Sequence, residues 1–176
     1  MTHLRWLMVA IALQLGVLAM EYLGSVWPLW TGEEVRLEIA PVDPRSLFRG
    51  NYARLAYTVA SVESGLFEGP GKRLRKGEVV YVFLEEGENE VWHATRVQLE
   101  PPLSGLFLRG RLTQTWAGNT DPLRIRYGIE AWFAPKEKAL EIERATRRRP
   151  GEEGRAYAIV SVAGSGRAAL ARLDLP

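Results

Sequence analysis

The sequence contains no cysteine and only two histidines. The lack of cysteine excludes disulfides, thiolate metal ligands and a lipid-modified N-terminal cysteine. His3 precedes a long apolar segment and His93 stands alone in a strand-like stretch, so no histidine pair is present for a metal site. The acidic stretch at 85–90 is typical of a solvated turn rather than a hard-cation site. We therefore expect no metal and no cofactor.

The sequence also lacks a strong charge excess and a second long apolar run. Its formal net charge is +2, with 23 basic and 21 acidic residues. A nucleic-acid-binding domain carries a clear excess of positive charge, so a nucleic-acid partner is not expected.

A credible catalytic set is missing as well. The sequence has no Gly-x-Ser-x-Gly elbow, and the Gly-Ser-Gly string at 164–166 is too short and is typical of a hairpin turn. A Ser/Lys pair, with Ser46 or Ser61 beside Lys72 or Lys76, remains as an alternative. Such a lysine must lose its proton near neutral pH, which requires burial, whereas both lysines belong to a basic loop. No catalytic residue is assigned.

One long apolar segment is present, and it stands at the N-terminus. Residues 6–23 are apolar except for Gln14 and Glu21. About 20 such residues in a helix cross the roughly 30 Å hydrocarbon layer of a bilayer. The pattern predicts a transmembrane anchor over 1–26 that contacts lipid through 6–23, and a helix that ends at Pro28 because proline breaks an interior turn.

The rest of the chain divides into a linker over 27–34 and one extracytoplasmic domain over 35–176. Arg5 precedes the apolar run and Glu33 and Glu34 follow it, which favours a single-pass protein with its N-terminus in the cytoplasm and its domain outside. A cleaved signal peptide is the main alternative, although Ala19-Met20-Glu21 and Gly24-Ser25-Val26 are poor cleavage sites. A buried helix of a soluble protein is the other alternative.

The domain is predicted to be mainly β. Short stretches alternate apolar and polar residues with a period of two, as in half-buried antiparallel strands. Pro135 opens one helix, predicted from Lys136 to Arg147. We expect a single antiparallel β sandwich or barrel-like domain with one inserted helix, preceded by one N-terminal transmembrane helix. The predicted strands cover 35–39, 52–62, 78–84, 91–99, 106–115, 123–133, 157–163 and 167–175.

The sequence echoes itself. The order Arg-Gly, then apolar-x-Tyr-x-β-branched, then a hairpin occurs once from Arg49 and again from Arg109. The two tyrosines of this pattern are Tyr57 and Tyr127. A duplication would place two similar β units about a pseudo-two-fold axis, with Arg49 and Arg109 in equivalent places. Chance is the alternative, because both strings are short.

Residues 41–57 carry a more specific signal. They read Pro-Val-Asp-Pro-Arg-Ser-Leu-Phe-Arg-Gly-Asn-Tyr-Ala-Arg-Leu-Ala-Tyr, which resembles the hallmark of the GDYXXLXY family of bacterial membrane-anchored proteins. Further similar strings occur at 77–82, 108–111 and 126–135. The resemblance implies an N-terminal membrane segment and an extracytoplasmic domain without an established activity. Asn51 stands where the family name has aspartate, which favours a turn-capping role there over a catalytic base or a metal ligand.

Arginines and tyrosines of this region are the candidates for ligand binding. Arginine binds carboxylate or phosphate bidentately, and tyrosine adds a flat amphipathic face. The alternative is that Tyr57 and Tyr127 belong to the core while the arginines cover strand edges. The candidate residues are Arg49, Asn51, Tyr52, Arg54, Tyr57 and Arg109.

These features favour a membrane-anchored extracytoplasmic binding or accessory module whose ligand or membrane-protein partner is unknown. A membrane-proximal Ser/Lys hydrolase and a purely structural envelope protein are the alternatives.

Overall fold

The chain folds into one long helix followed by a β-rich domain. The structure is a computed structural model that describes residues 2–40, 52–69, 73–118, 121–133 and 156–175. Helix α1 comprises Thr2–Thr31, and the prediction of a mainly β protein with one N-terminal helix is confirmed. The helix predicted over 136–147 lies outside the described residues. The strands are β1 Glu33–Ala40, β2 Tyr52–Arg54, β3 Ala56–Tyr57, β4 Ser61–Val62, β5 Val79–Glu86, β6 Trp92–Gln98, β7 Phe107–Leu112, β8 Leu123–Arg126, β9 Ala131–Phe133, β10 Tyr157–Val162 and β11 Ala168–Asp174.

Helix α1 continues through Pro28, so the prediction that it ends there is wrong. Proline removes one backbone donor from a helix, yet α1 continues for three more residues, to Thr31. The Pro28 carbonyl accepts hydrogen bonds from the Gly32 N–H at 2.8 Å and from the Ser161 hydroxyl at 2.6 Å. Pro28 itself is buried against the domain. Only Gly32 separates α1 from β1, so the stretch predicted as a linker over 27–34 is mostly helix and strand.

The remainder of α1 is exposed. Within Leu4–Thr31, the apolar 18-residue window has a mean hydropathy of 1.8, and none of that window is buried in the protein. By length and composition it is sufficient to cross a membrane. At 1.5 Å per residue its 28 residues extend about 42 Å, which exceeds a hydrocarbon layer of about 30 Å. The last turns of α1 would therefore stand outside that layer.

Two antiparallel sheets, one of four strands and one of five, enclose the core. One sheet has the order β11-β10-β1-β3, and the other has the order β6-β5-β7-β8-β4. A short ladder of β2 and β9 joins them at one side. Alternate residues of the strands point inward, as in β1, where Val35, Leu37 and Ile39 are buried. The two inner faces meet in one apolar cluster.

The hairpins at the far edges of these sheets are structural copies of each other. Hairpin β5–β6 pairs Phe83 with Arg96, and hairpin β10–β11 pairs Ile159 with Arg172. Each residue number in the second pair is 76 higher than the corresponding number in the first pair. A β-bulge follows this pair in each hairpin, directly after Phe83 and after Ile159. A bulge repeated at the same place supports an internal duplication of the domain.

The two halves exchange strands rather than folding side by side. Strand β1 of the first half pairs with β10 of the second, and β7 of the second half pairs with β5 of the first. The strand that corresponds to β7 is therefore β1, which ends at Ala40. Arg109 lies on β7, whereas Arg49 lies outside the described residues, so the equivalence of Arg49 and Arg109 stays a prediction.

Candidate anion-binding groove

A groove lies between the C-terminal half of α1 and the β domain. Its volume is about 1150 Å³. Residues on one face of α1, spaced three or four apart, form one wall because such residues share a helix face. The opposite wall consists of residues from β7, β9 and β11 and from the segment 126–129. The helix wall contains Val17, Met20, Glu21, Gly24, Ser25 and Pro28.

Four arginines line the domain wall of this groove. Arg109 and Arg111 alternate with buried residues on β7, so both side chains emerge on the same exposed face. Arg126 is exposed on β8 and lies directly opposite Arg111 in the ladder. Arg167 comes from the turn before β11. Like charges opposite each other on neighbouring strands are destabilising, so the sheet gains nothing from this arrangement.

Within the part of the chain that the structure describes, these charges are only partly compensated. The Arg111 guanidinium donates a hydrogen bond to the Gly77 carbonyl at 2.9 Å. Among the described residues, the guanidinium groups of Arg109, Arg126 and Arg167 have neither an ion pair nor a hydrogen bond. Glu21 on the helix wall is the one acidic residue that lines the groove in the described part of the chain. The groove therefore carries an excess of positive charge.

A glycine turn brings two of the arginines together. The Arg109 N–H donates a hydrogen bond to the Gly166 carbonyl at 2.8 Å, which ties β7 to the β10–β11 turn. Gly166 has a φ of +75°, and a Cβ there would lie 2.5 Å from the ring of Phe107. Only glycine allows this approach. Arg167, the next residue, is thereby held beside Arg109.

Arg167 also reaches the helix. Its Nη1 atom is 3.5 Å from the position that a Cβ on Gly24 would occupy. At this distance a Cβ would make an ordinary van der Waals contact with the guanidinium, which therefore lies against α1. Trp132 of β9 completes the wall, half-buried beside the arginines.

The structure brings some of the residues proposed from the sequence to this groove. Arg109 lines it, together with its neighbours Arg111 and Tyr127. Arg54 is exposed on β2 and pairs with Ala131, a residue of the groove wall. Arg49, Asn51 and the Tyr52 side chain lie outside the described residues, although the Tyr52 backbone pairs with Phe133.

Tyr57 does not reach the groove. Its side chain is 2 % exposed, and its hydroxyl donates a hydrogen bond to the Ile129 carbonyl at 2.7 Å. Burial raises the pKa of this hydroxyl, and the Glu130 carboxylate raises it further. The structure thus gives Tyr57 the core role that the sequence analysis left as the alternative.

Arg126, Arg167 and Trp132 were not among the candidates. They come from a strand, a turn and another strand, and they meet only because of the sheet order and the position of α1. The one local signal was alternation, since Arg124 and Arg126 alternate with the buried Leu123 and Ile125. Alternation identifies an exposed face but not the element that lies against it.

The residues of the catalytic alternative gain no support. Ser61 and Lys76 are both exposed, whereas a Ser/Lys mechanism requires a buried lysine. Ser46 and Lys72 lie outside the described residues. Within the part of the chain that the structure describes, no group of three or more acidic, histidine or cysteine residues is placed to hold a metal ion.

These features define a class of protein, a duplicated antiparallel β domain carried on one long apolar helix. The chain belongs to the GDYXXLXY family: the family model described as GDYXXLXY protein matches residues 14–173, nearly the whole chain. The comparison with curated proteins and the comparison with solved structures each gave no match.

Proposed function

We propose that the chain is a membrane-anchored, extracytoplasmic binding module that holds an anionic group in the groove between α1 and the β domain. One observation carries the proposal. Arg109, Arg126 and Arg167 line one groove and form no ion pair among the described residues. An anion would relieve their mutual repulsion, and arginine suits carboxylate or phosphate because its donors form a rigid fork.

Several features support the anchor and its retention. Trp27 and Trp30 are exposed near the end of the apolar helix, where aromatic residues commonly lie at a membrane–water interface. Pro28 packs on the domain and accepts a hydrogen bond from Ser161. The end of α1 is therefore part of the folded unit, which favours an anchor over a cleaved signal peptide. Arg5 before the apolar run 6–23 and Glu33 after it favour an external domain.

The proposal needs no catalytic residue. The arginines are exposed cations fixed by strands and a glycine turn, and such a rigid arrangement is suited to binding. A membrane-protein partner with an acidic segment and a small anionic molecule would use the same chemistry.

The test uses the full-length chain in a neutral detergent at low ionic strength. Three soluble probes are titrated: inorganic phosphate, citrate and hexaglutamate. We expect at least one probe to raise the melting temperature, because a ligand that binds only the folded state stabilises it. The R109Q/R126Q double variant should lose this shift.

Arg124 provides a matched control. It is exposed on β8 two residues from Arg126, but it does not line the groove. The R124Q variant should keep the response of the wild-type chain. If neither these soluble anions nor an anionic lipid binds the wild-type chain, or if the double variant responds as strongly as the wild type, the groove is not a binding site.

A further inference from the structure

Building on the proposed function, we infer that the anion held in the groove is the phosphate of an anionic phospholipid from the membrane that holds α1. The inference extends the proposed function by naming the ligand class and its source. It rests on the polarity of the groove along the helix, the depth of the arginines and the hydrogen-bonding groups beside them.

The groove changes from apolar to polar along α1. Its helix wall begins with Val17 and Met20 and continues with Glu21, Gly24 and Ser25. From Val17 to Pro28 the wall extends about 16 Å along the helix axis, at 1.5 Å per residue. A phospholipid has the same order of apolar chain and polar headgroup. A free inorganic anion has no apolar part that could contact Val17 and Met20.

The arginines stand at the depth of the headgroups. The segment predicted to lie in the bilayer ends at residue 23, and the Arg167 guanidinium lies against Gly24, the next residue. Arg109 is held beside Arg167 by the hydrogen bond from its backbone N–H to Gly166. The cationic cluster therefore lies where phosphate diesters are concentrated. Basic residues near an anionic membrane surface each add to lipid affinity.

The other wall of the groove is suited to the same interface. Trp132 is half-buried in that wall. Indole rings favour the headgroup region, because the apolar part of the ring contacts the acyl chains while its N–H group remains hydrated. Ala168 and Leu170 of β11 add apolar surface to the groove. An acidic peptide from a partner would gain little from this surface, which favours lipid over a protein segment.

Glu21 indicates which headgroup fits best. Glu21 lines the same groove as the arginines, and a carboxylate only accepts hydrogen bonds. The hydroxyls of a glycerol headgroup donate hydrogen bonds, whereas the trimethylammonium of phosphatidylcholine has no donor. Together with the excess of arginine, this favours phosphatidylglycerol over phosphatidylcholine.

The experiment measures lipid binding to the full-length chain in a neutral detergent by native mass spectrometry. The probes are dioleoyl phosphatidylglycerol, dioleoyl phosphatidylcholine and glycerol 3-phosphate, the last of which has the phosphate but no acyl chain. We expect phosphatidylglycerol to bind at least about tenfold more tightly than either other probe. The R109Q/R126Q variant should bind it about 30-fold more weakly, while R124Q should match the wild type.

A second pair of variants tests the apolar end without changing any arginine. The variants are Met20→Ser and Leu15→Ser. Met20 lies in the groove wall, whereas Leu15 lies on the opposite face of α1 and does not line the groove. M20S should weaken binding of phosphatidylglycerol but leave glycerol 3-phosphate binding unchanged, and L15S should change neither. This pair keeps the inference testable even if the arginine variants fold poorly.

The outcomes separate the inference from the proposed function. If glycerol 3-phosphate or inorganic phosphate binds as tightly as phosphatidylglycerol, the lipid assignment is wrong and the anion-binding groove stands. If hexaglutamate binds more tightly than the lipid, the ligand is an acidic segment of a protein partner. Equal binding of phosphatidylglycerol and phosphatidylcholine also overturns the lipid assignment. If no anionic probe binds, the proposed function fails with it.

Discussion

Tyr57 and Tyr127 each donate a hydrogen bond to the chain segment that carries the other. The Tyr57 hydroxyl donates to the Ile129 carbonyl at 2.7 Å, and the Tyr127 hydroxyl donates to the Val59 carbonyl at 2.6 Å. In both cases the acceptor stands two residues after the opposite tyrosine. The reciprocity places a local two-fold axis between the two segments, at the centre of the duplicated domain.

Short ladders flank this tyrosine pair on both sides. Strand β2 pairs with β9 on one side, and β4 pairs with β8 on the other. The two segments therefore cross in antiparallel directions, with ladder pairing at their ends and the tyrosine hydroxyls at their centre. The hydroxyls replace the backbone pairs that are interrupted there, since buried carbonyls need a donor.

The first prediction is that Tyr57→Phe and Tyr127→Phe destabilise the domain by similar amounts. Each variant leaves one buried carbonyl without its donor, which costs about 1–3 kcal/mol of the free energy of unfolding. Urea unfolding of the full-length chain in a neutral detergent measures this cost. Tyr81→Phe is the control, because the Tyr81 hydroxyl makes no hydrogen bond among the described residues, and we expect a change of less than about 0.5 kcal/mol. A large loss in only one of the two variants would argue against the reciprocal arrangement.

The second prediction concerns alkaline pH. Burial raises the pKa of both Tyr57 and Tyr127 above the ordinary value near 10, and the negative charge of Glu130 adds to this effect. Above pH 10 the unfolded chain releases phenolic protons that the folded chain retains. The stability that the two buried phenols contribute is therefore fully present below pH 10. It falls as the pH rises toward their folded-state pKa values, by up to about 1.4 kcal/mol of the free energy of unfolding per pH unit for each tyrosine.

The measurement for this pH dependence is urea unfolding at a series of pH values from 9 to 12. Other groups also titrate in this range, so the informative quantity is the difference between the wild-type chain and the Y57F/Y127F double variant. We expect the wild type to lose stability more steeply above pH 10 than the double variant does. Parallel curves would show that the two phenols do not hold their protons in the folded state.

The duplication could be predicted from the sequence, but the pairing of strands between the two units could not. Repeated tyrosine strings and hairpins indicated two related units, and the matching hairpins bear this out. Which strands pair across the two units depends on long-range contacts, and the short repeated strings do not encode that β1 pairs with β10 and β7 with β5. Local propensity also placed the end of α1 at Pro28, whereas a tertiary hydrogen bond from Ser161 stabilises the helix beyond it.

The groove could not be predicted from the sequence either, because it also depends on long-range contacts. Arg109 was a candidate because arginine and tyrosine occur together near it, but Arg167 lies more than fifty residues away in a turn with no motif of its own. The two meet because the Gly166 carbonyl accepts a hydrogen bond from Arg109. Composition and periodicity identify exposed cations, and only the packing of α1 on the domain shows which cations share a cavity.

The third prediction uses the two equivalent hairpin turns. Glu90 has a φ of +60° in the β5–β6 turn, and Gly166 has a φ of +75° at the corresponding place in the β10–β11 turn. A residue with a side chain pays about 1–2 kcal/mol for this left-handed conformation. Glu90→Gly should therefore raise the melting temperature, by a free energy of about 0.5–1 kcal/mol after the added flexibility of the unfolded chain is included. Glu88→Gly, in the same turn without a positive φ, should lower it; equal effects of both variants would contradict the assignment.

The fourth prediction tests the junction between α1 and the domain. The Ser161 hydroxyl is buried and donates a hydrogen bond to the Pro28 carbonyl at 2.6 Å, so Ser161→Ala should loosen the last turn of the helix. We expect faster amide hydrogen exchange at residues 29–32, corresponding to a loss of about 1–2 kcal/mol of protection. Ser165→Ala, in the exposed turn of the same hairpin, is the control and should leave this exchange unchanged. Because Arg167 contacts the helix near Gly24, the groove depends on the same junction, and S161A should also weaken anion binding. Unchanged exchange in S161A would show that the helix end is held by packing alone.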